Sequence, residues 1–196
     1  MGVPLTLETS RLKMRMLNAA DLTVVARQFS DPEMCTYFSE PPCTVEQAEA
    51  IIDHYRNPEG QDHLRYGLFD KQTGDFVGTC GYHCLDLGRR QVEIGYDIWK
   101  EYWRQGYAAE AVRELIAVCF GSLPIDCIYV LVHPGNRASL ATARKLGFVP
   151  CVPRRAVGQE QVCLELTRQT YSTATNISTS TEMSSGSAAA PMALLA

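Results

Sequence analysis

The residues between Trp99 and Ala111 combine aromatic, basic and small side chains in an order that suits the binding of an anion. A strand-like segment ends near Trp99, a tight turn follows around Gly106, and an amphipathic helix begins directly after the turn. The first N–H groups of a helix have no partner within it, and the helix dipole adds positive charge at that end. We therefore predict a pyrophosphate site at this turn. Its residues are Arg104, Gln105, Gly106, Tyr107, Ala108 and Ala109.

A second motif, Asn136-Arg137-Ala138-Ser139, opens another predicted helix that ends at Leu146. Gly147 follows at the position where a left-handed C-terminal cap is expected. Ser139 lies one helical turn after Asn136, so the two side chains share one face of this helix.

Alternating or continuous apolar residues predict the strands that position these motifs. The predicted strands are residues 12–17, 65–70, 76–84, 91–99, 125–132 and 161–167. Further helices are predicted at residues 18–29 and 44–55 and directly after Gly106. In the strand at 91–99, one face carries Glu93, Gly95 and Asp97. This order predicts a mixed α/β (α+β) domain, with a mixed sheet of six or seven strands and helices on both faces.

The overall composition excludes several classes of protein. The net charge is −4 and the basic residues are dispersed, which argues against nucleic acid as a partner. No apolar run is long enough to cross a bilayer, so no membrane partner is expected. The eight cysteines form no C-x-x-C pair, and no signal peptide precedes them. We therefore expect reduced thiols, a cytoplasmic protein and no metal site.

The composition changes after Arg168. From Gln169 onward serine, threonine and alanine dominate, and the apolar periodicity is lost. We therefore predict one domain over residues 7–168 and a disordered tail over residues 169–196. The oligomeric state leaves no signal in the sequence.

The chain resembles the GNAT superfamily of N-acetyltransferases, in particular the branch of ribosomal-protein alanine acetyltransferases. Residues 7–15, 93–111 and 136–148 carry the resemblance, in the family's order. It implies a three-layer fold and the direct transfer of an acetyl group from acetyl-CoA to a primary amine in a ternary complex. The acceptor is then a protein N-terminus or a small-molecule amine. Two positions depart from the pattern: Arg104 replaces a usual glycine, and Ala143 replaces a tyrosine that serves many members as general acid.

The resemblance also assigns roles to individual residues. The backbone at Ile98 and Trp99 is expected to pair with the pantetheine arm, which Asn136 also binds. Glu93 is the candidate general base, and the alternative is a solvated or ion-paired carboxylate. Ser139 is the candidate group near the leaving thiolate, and the alternative is a serine that only satisfies helix N–H groups.

Asp97 and His83 are secondary candidates for the base. Residues 31–43 and the turn near Gly88 are expected to frame the acceptor side. Arg104 and Ala143 also motivate a second hypothesis, a non-catalytic module that binds CoA as a sensor or scaffold. A third hypothesis, an unrelated nucleotide-binding domain, is disfavoured because the turn lacks G-x-G-x-x-G.

Overall fold

The computed structural model describes residues 2–38, 42–56, 62–152 and 161–173. The strands are β1 (Thr6–Glu8), β2 (Leu12–Met16), β3 (Leu64–Asp70), β4 (Phe76–Asp86), β5 (Gln91–Ile98), β6 (Cys127–Val132), β7 (Val149–Cys151) and β8 (Val162–Thr167). The α-helices are α1 (Leu22–Ser30), α2 (Val45–Arg56), α3 (Tyr107–Ser122) and α4 (Arg137–Lys145). A further helical turn covers residues 168–173.

All of these strands belong to one mixed sheet, in the order β1-β2-β3-β4-β5-β6-β8-β7. The strands from β1 to β5 are antiparallel neighbours, and β5 then pairs with β6 in parallel. The predicted mixed α/β sheet is confirmed. It has eight strands instead of six or seven, because β1 and β7 add three residues each at the two edges. Strands this short leave no alternation that a sequence pattern can detect.

Helices cover the sheet on both faces, as predicted. The buried side of α3 packs against β2, β4 and β5 and contributes Val112, Leu115 and Cys119 to the main core. On the other face α1 and α2 pack against each other around a smaller cluster that contains Val25 and Ile52.

The sheet opens between β5 and β6. These strands pair only over Gln91–Glu93 and Cys127–Tyr129, at the beginning of each strand. Beyond that point β5 continues to pair with β4 as far as Ile98, while β6 pairs with β8 as far as Val132. Each strand is held by its outer neighbour, so a wedge-shaped gap separates two strand edges in the middle of the sheet.

The chain remains helical beyond the predicted end of the domain. Residues 168–173 form a helical turn, and the Arg168 guanidinium donates hydrogen bonds to the carbonyls of Phe120, in the last turn of α3, and of Ile125, which follows this helix. The rings of Tyr171 and Phe120 lie 5.1 Å apart. The first residues of the predicted tail therefore pack on the domain, and residues 174–196 lie outside the described residues. None of the described helices combines the length and the apolar character needed to cross a membrane.

Candidate active site

The turn before α3 presents unpaired backbone N–H groups. Arg104 and Gly106 both have left-handed backbone angles, with φ of +63° and +84°. Two such residues separated by one position turn successive amides toward the same side. Within the described part of the chain, none of the N–H groups of residues 105–109 donates to a protein atom, and Glu110 N–H is the first to bond, to the Gly106 carbonyl. Gly106 has no side chain to oppose its positive φ, and Arg104 adopts the same region at a cost.

Side chains from the β1–β2 turn hold this loop. The Glu110 carboxylate accepts hydrogen bonds from Thr9 Oγ1, the Arg11 backbone and Arg11 Nε. Arg11 also donates to the Gln105 carbonyl at 3.0 Å and lies 4.1 Å above the Tyr107 ring. Partial burial alone would raise the pKa of Glu110, but these hydrogen bonds outweigh it and lower the pKa to about 2. Glu110 is thus a carboxylate at neutral pH and fixes the first turn of α3.

The β5 edge of the gap is formed by backbone groups around Ile98. The Trp99 N–H donates to the Val77 carbonyl at 2.8 Å, so this amide faces β4 and is not available to a ligand in the gap. Successive amides of a strand point to opposite sides, so the Ile98 N–H faces the gap. The Ile98 carbonyl accepts a hydrogen bond from Trp103 Nε1 at 2.6 Å. Of the two residues expected to pair with pantetheine, only Ile98 keeps an amide for that role.

On the other side of the gap, the first turn of α4 carries a polar pair. Asn136 Oδ1 accepts the Ser139 N–H at 3.0 Å and caps the helix. The Ser139 hydroxyl is not used for capping; it lies 2.9 Å from the Tyr96 hydroxyl on β5. The Tyr96 hydroxyl also donates to the Ser139 carbonyl, at 3.1 Å. A β5 phenol and an α4 hydroxyl therefore meet across the gap.

Tyr96 is a functional candidate that the sequence motifs do not indicate. Its position on the apolar face of β5, between Ile94 and Ile98, made it look like a core residue. Burial raises the pKa of Tyr96 to about 12, so the phenol keeps its proton at neutral pH. The only available signal was a hydroxyl on an otherwise apolar strand face, close to the end of that strand.

A cavity of about 460 Å³ joins the gap to the face covered by α1 and α2. It is lined by Glu93 and Asp97, and also by Asn136 and Ser139 from the α4 side. Further lining side chains are aromatic or apolar: Phe29, Tyr37, Phe38 and Ile51. The cavity therefore connects the candidate base with the candidate proton donor.

The two carboxylates of this cavity have different partners. Glu93 is buried, and its Oε1 lies 3.2 Å from Nε2 of His83, directly opposite on β4. Asp97 forms a largely buried ion pair with Arg65, which also donates to Thr79. Because Asp97 Oδ2 already accepts hydrogen bonds from Arg65 and Thr79, it is poorly placed to receive a proton from an amine. The geometry thus favours Glu93 over Asp97.

The other residues near the predicted cofactor and acceptor sites lie partly along the cavity and partly away from it. Ala108 and Ala109 lie in the first turn of α3, and Tyr107 donates its hydroxyl to Asp70 at 2.7 Å. Trp103 is 42% exposed and supports the β5 edge through its indole N–H. Of the segment expected to frame the acceptor side, Tyr37, Phe38 and Cys43 line the cavity, and residues 39–41 lie outside the described residues. Gly88 is not among the cavity-lining residues that the structure describes.

Comparison with known proteins agrees with this arrangement. The acetyltransferase (GNAT) domain model matches residues 11–149. An uncharacterized N-acetyltransferase, p20 of Bacillus licheniformis, is 36% identical over 146 residues, which are 73% of this chain and 82% of that protein.

Two solved structures from Vibrio cholerae have the same fold. A putative ribosomal-protein-serine acetyltransferase has a TM-score of 0.69 at 25% identity, over 85% of this chain and 99% of the other. A spermidine N-acetyltransferase in complex with CoA and spermine has a TM-score of 0.70 at 20% identity, over 83% and 98% of the two chains. The chain belongs to the GNAT family of acetyltransferases and is an acetyl-CoA-dependent N-acetyltransferase.

Proposed function

We propose that the protein transfers the acetyl group directly from acetyl-CoA to a primary amine in a ternary complex. In this mechanism Glu93 acts as general base, and Ser139, supported by Tyr96, delivers a proton to the leaving thiolate. The observation that carries the proposal is the gap between β5 and β6. Glu93 lies where β5 and β6 are still paired, at the closed end of this gap, and the Tyr96–Ser139 pair spans the gap further along β5.

The cofactor is held mainly by backbone groups. The open amides of residues 105–109 bind the pyrophosphate, with the positive end of the α3 dipole behind them. The pantetheine arm enters the gap as an added strand and pairs with the β5 edge at Ile98. The Asn136 side-chain amide retains its NH₂ donors, because its oxygen caps α4, and these donors bind the same arm.

A protonated amine cannot attack a thioester, so the acceptor must lose a proton before or during the transfer. The buried Glu93 carboxylate lies in the acceptor part of the cavity and takes up this proton. His83 is 33% exposed at its side chain and lies next to Glu93, which provides a route for the proton to solvent.

Collapse of the tetrahedral intermediate releases a thiolate, which is protonated from the α4 side. The Ser139 hydroxyl donates its proton to sulfur while the Tyr96 phenol passes its own proton to the serine oxygen, and the phenolate regains a proton from water as the products leave. This pair takes over the task of the tyrosine found in many family members at the position of Ala143. The strand edge that faces the gap supplies an N–H to the thioester oxygen.

The lining of the cavity supports one class of acceptor. Its described aromatic and apolar side chains suit a primary amine carried on an apolar or peptide body, and its two carboxylates already face Arg65 and His83. A protein N-terminus and a small apolar amine both meet this description. Multiply charged polyamines would require further carboxylates for recognition.

The test is the Glu93→Gln variant, which keeps the shape of the side chain but removes its capacity to accept a proton. We expect kcat/KM for the acceptor to fall by about 10²- to 10⁴-fold, with the affinity for CoA unchanged. Thiol release from acetyl-CoA with a panel of amines measures the first quantity, and calorimetry measures the second. Glu165→Gln, on β8 and outside the described cavity lining, is the matched control. Full activity of Glu93→Gln would refute the assignment of the base.

A further inference from the structure

The pairing of β4 with β5 brings together three side chains of metal-binding type. His83, Cys84 and Glu93 each offer one donor atom, and these three atoms lie within 4.8 Å of one another. The cysteine spacing lacks C-x-x-C and predicts no metal site. The third member of the cluster comes from the neighbouring strand, so spacing along the sequence does not indicate it.

A bulge in β4 explains why two consecutive residues take part. Successive strand residues normally point to opposite faces of a sheet, so His83 and Cys84 would be separated. The β4–β5 register shifts between His83 and Asp86, and Cys84 has a left-handed φ of +53°. Such a bulge redirects a side chain, here bringing the thiol to the side where His83 faces Glu93.

The donor set and its geometry fit a borderline-soft divalent cation of the zinc type. Imidazole nitrogen, thiolate sulfur and carboxylate oxygen are the three donors that zinc takes from proteins. In a tetrahedral site with ordinary bond lengths, donors lie about 3.4–3.7 Å apart. The His83–Glu93 pair is already at 3.2 Å, and the widest separation must shorten by about 1 Å, within the reach of side-chain rotation.

The cluster is also accessible. His83 and Glu93 line the cavity of about 460 Å³, and the His83 side chain is 33% exposed. Cys84 is partly exposed and belongs to no disulfide. Three protein donors leave a fourth position of a tetrahedral ion for water or an amine, as in open zinc sites.

We propose that His83, Cys84 and Glu93 bind a zinc-type divalent cation that reversibly inhibits acetyl transfer. A carboxylate that coordinates such a cation cannot accept the proton of the acceptor ammonium. The ion therefore blocks the acceptor side and leaves the CoA groove unchanged. The inhibitory part rests on the proposed role of Glu93 as base, and the binding part does not.

Binding is tested first, without turnover, by titrating the reduced protein with Co²⁺ in the presence of a phosphine reductant. Coordination by Cys84 gives a thiolate-to-cobalt absorption band in the near ultraviolet, with one ion bound per chain. Cys84→Ser abolishes the band, and His83→Gln weakens binding about tenfold or more, since loss of an inner ligand costs at least as much as loss of an outer one. Cys43→Ser, which alters a thiol that lines the cavity, keeps the band. A missing band, or one that persists in Cys84→Ser, overturns the site.

Inhibition is tested separately with Zn²⁺ in the thiol-release assay. We expect a chelator-reversible fall in kcat/KM for the acceptor and no change in CoA affinity. Cys84→Ser keeps basal activity within about twofold and resists Zn²⁺ at concentrations about tenfold higher. Inhibition that is unchanged in Cys84→Ser, or cobalt binding through Cys84 without inhibition by zinc, overturns the inhibitory role. A fully active Glu93→Gln variant removes Glu93 as base, but it leaves the cobalt result intact, so the two failures are distinguishable.

Discussion

The cofactor side and the catalytic side of this site are built from different parts of the polypeptide. The cofactor side consists mainly of backbone amides around Gly106, whose direction follows from two left-handed residues and the start of a helix. The catalytic side consists of side chains from three elements, with Glu93 and Tyr96 on β5, His83 on β4 and Ser139 on α4. A backbone site depends on local conformation, whereas a side-chain site depends on strand register and on the packing of a helix against the sheet.

The largest effect on cofactor affinity should follow from a change to the backbone of the cofactor side. Gly106→Val places a β-branched residue at φ +84°, a region that such residues avoid. The turn must then move, and several N–H groups lose their common direction. We expect CoA binding to weaken by about 100-fold, because each hydrogen bond to a charged group contributes roughly 1.5–3 kcal/mol. Isothermal calorimetry measures the affinity, and circular dichroism checks the fold.

Gly106→Asn is the matched control, since asparagine tolerates the left-handed region. It should lose much less affinity than the valine variant. If the valine variant bound CoA as tightly as the unaltered protein, the backbone of this turn would not be the cofactor site.

The second effect concerns Glu110, the side chain on which the cofactor loop depends. Its pKa of about 2 lies below the ordinary value, so its hydrogen bonds stabilise the folded state fully above about pH 4.3. This contribution is lost as the pH falls toward 2. After allowance for partial exposure we expect about 2 kcal/mol.

Glu110→Gln removes the ionisation at this position. At pH 7 its free energy of unfolding in urea should lie about 2 kcal/mol below that of the unaltered protein, and the two should converge near pH 2. If the free energies of unfolding of the two proteins differed by the same amount at every pH in this range, Glu110 would contribute nothing through its charge.

A smaller effect is expected at Tyr96 on the catalytic side. Tyr96→Phe removes the hydroxyl that faces Ser139 but keeps the ring, so kcat should fall about tenfold, with KM for acetyl-CoA unchanged. If the two hydroxyls act together, adding Tyr96→Phe to Ser139→Ala should cost little more than Ser139→Ala alone. Steady-state kinetics of the two single variants and the double variant decides this. Fully additive losses would mean that the hydroxyls act independently.

This contrast explains how much the sequence could predict. The turn at Gly106, the start of a helix at Asn136 and the positive φ of Gly147 were predicted correctly, because each depends on a few consecutive residues. The predicted start of a helix at Thr44 is confirmed for the same reason, since the Thr44 and Gln47 side chains each accept a hydrogen bond from the other's backbone N–H.

The parts that could not be predicted depend on contacts between distant residues. The Tyr96–Ser139 pair requires that α4 pack against β5, and the cluster of His83, Cys84 and Glu93 requires a bulge in β4. The loss of Trp99 as a pantetheine partner follows from the direction of one amide, which is set by the β4 ladder. No local pattern encodes any of these features.

The smallest expected effect distinguishes two roles for Arg104, the departure from the family's usual glycine. At φ +63° the Arg104 side chain lowers the stability of the folded state by about 1–2 kcal/mol, and glycine would relieve this strain. Glycine also has greater freedom in the unfolded chain, which lowers stability by roughly 0.5–1 kcal/mol. Arg104→Gly should therefore raise the free energy of unfolding by at most about 1.5 kcal/mol.

If the guanidinium binds a phosphate, the same Arg104→Gly variant binds CoA more weakly although it is more stable. Arg104→Lys keeps both the Cβ and the charge, so its stability and CoA affinity should both stay close to those of the unaltered protein. Tighter CoA binding by the glycine variant would show instead that the side chain narrows the turn. In that case the cofactor side would depend on its backbone alone, and the contrast with the catalytic side would be complete.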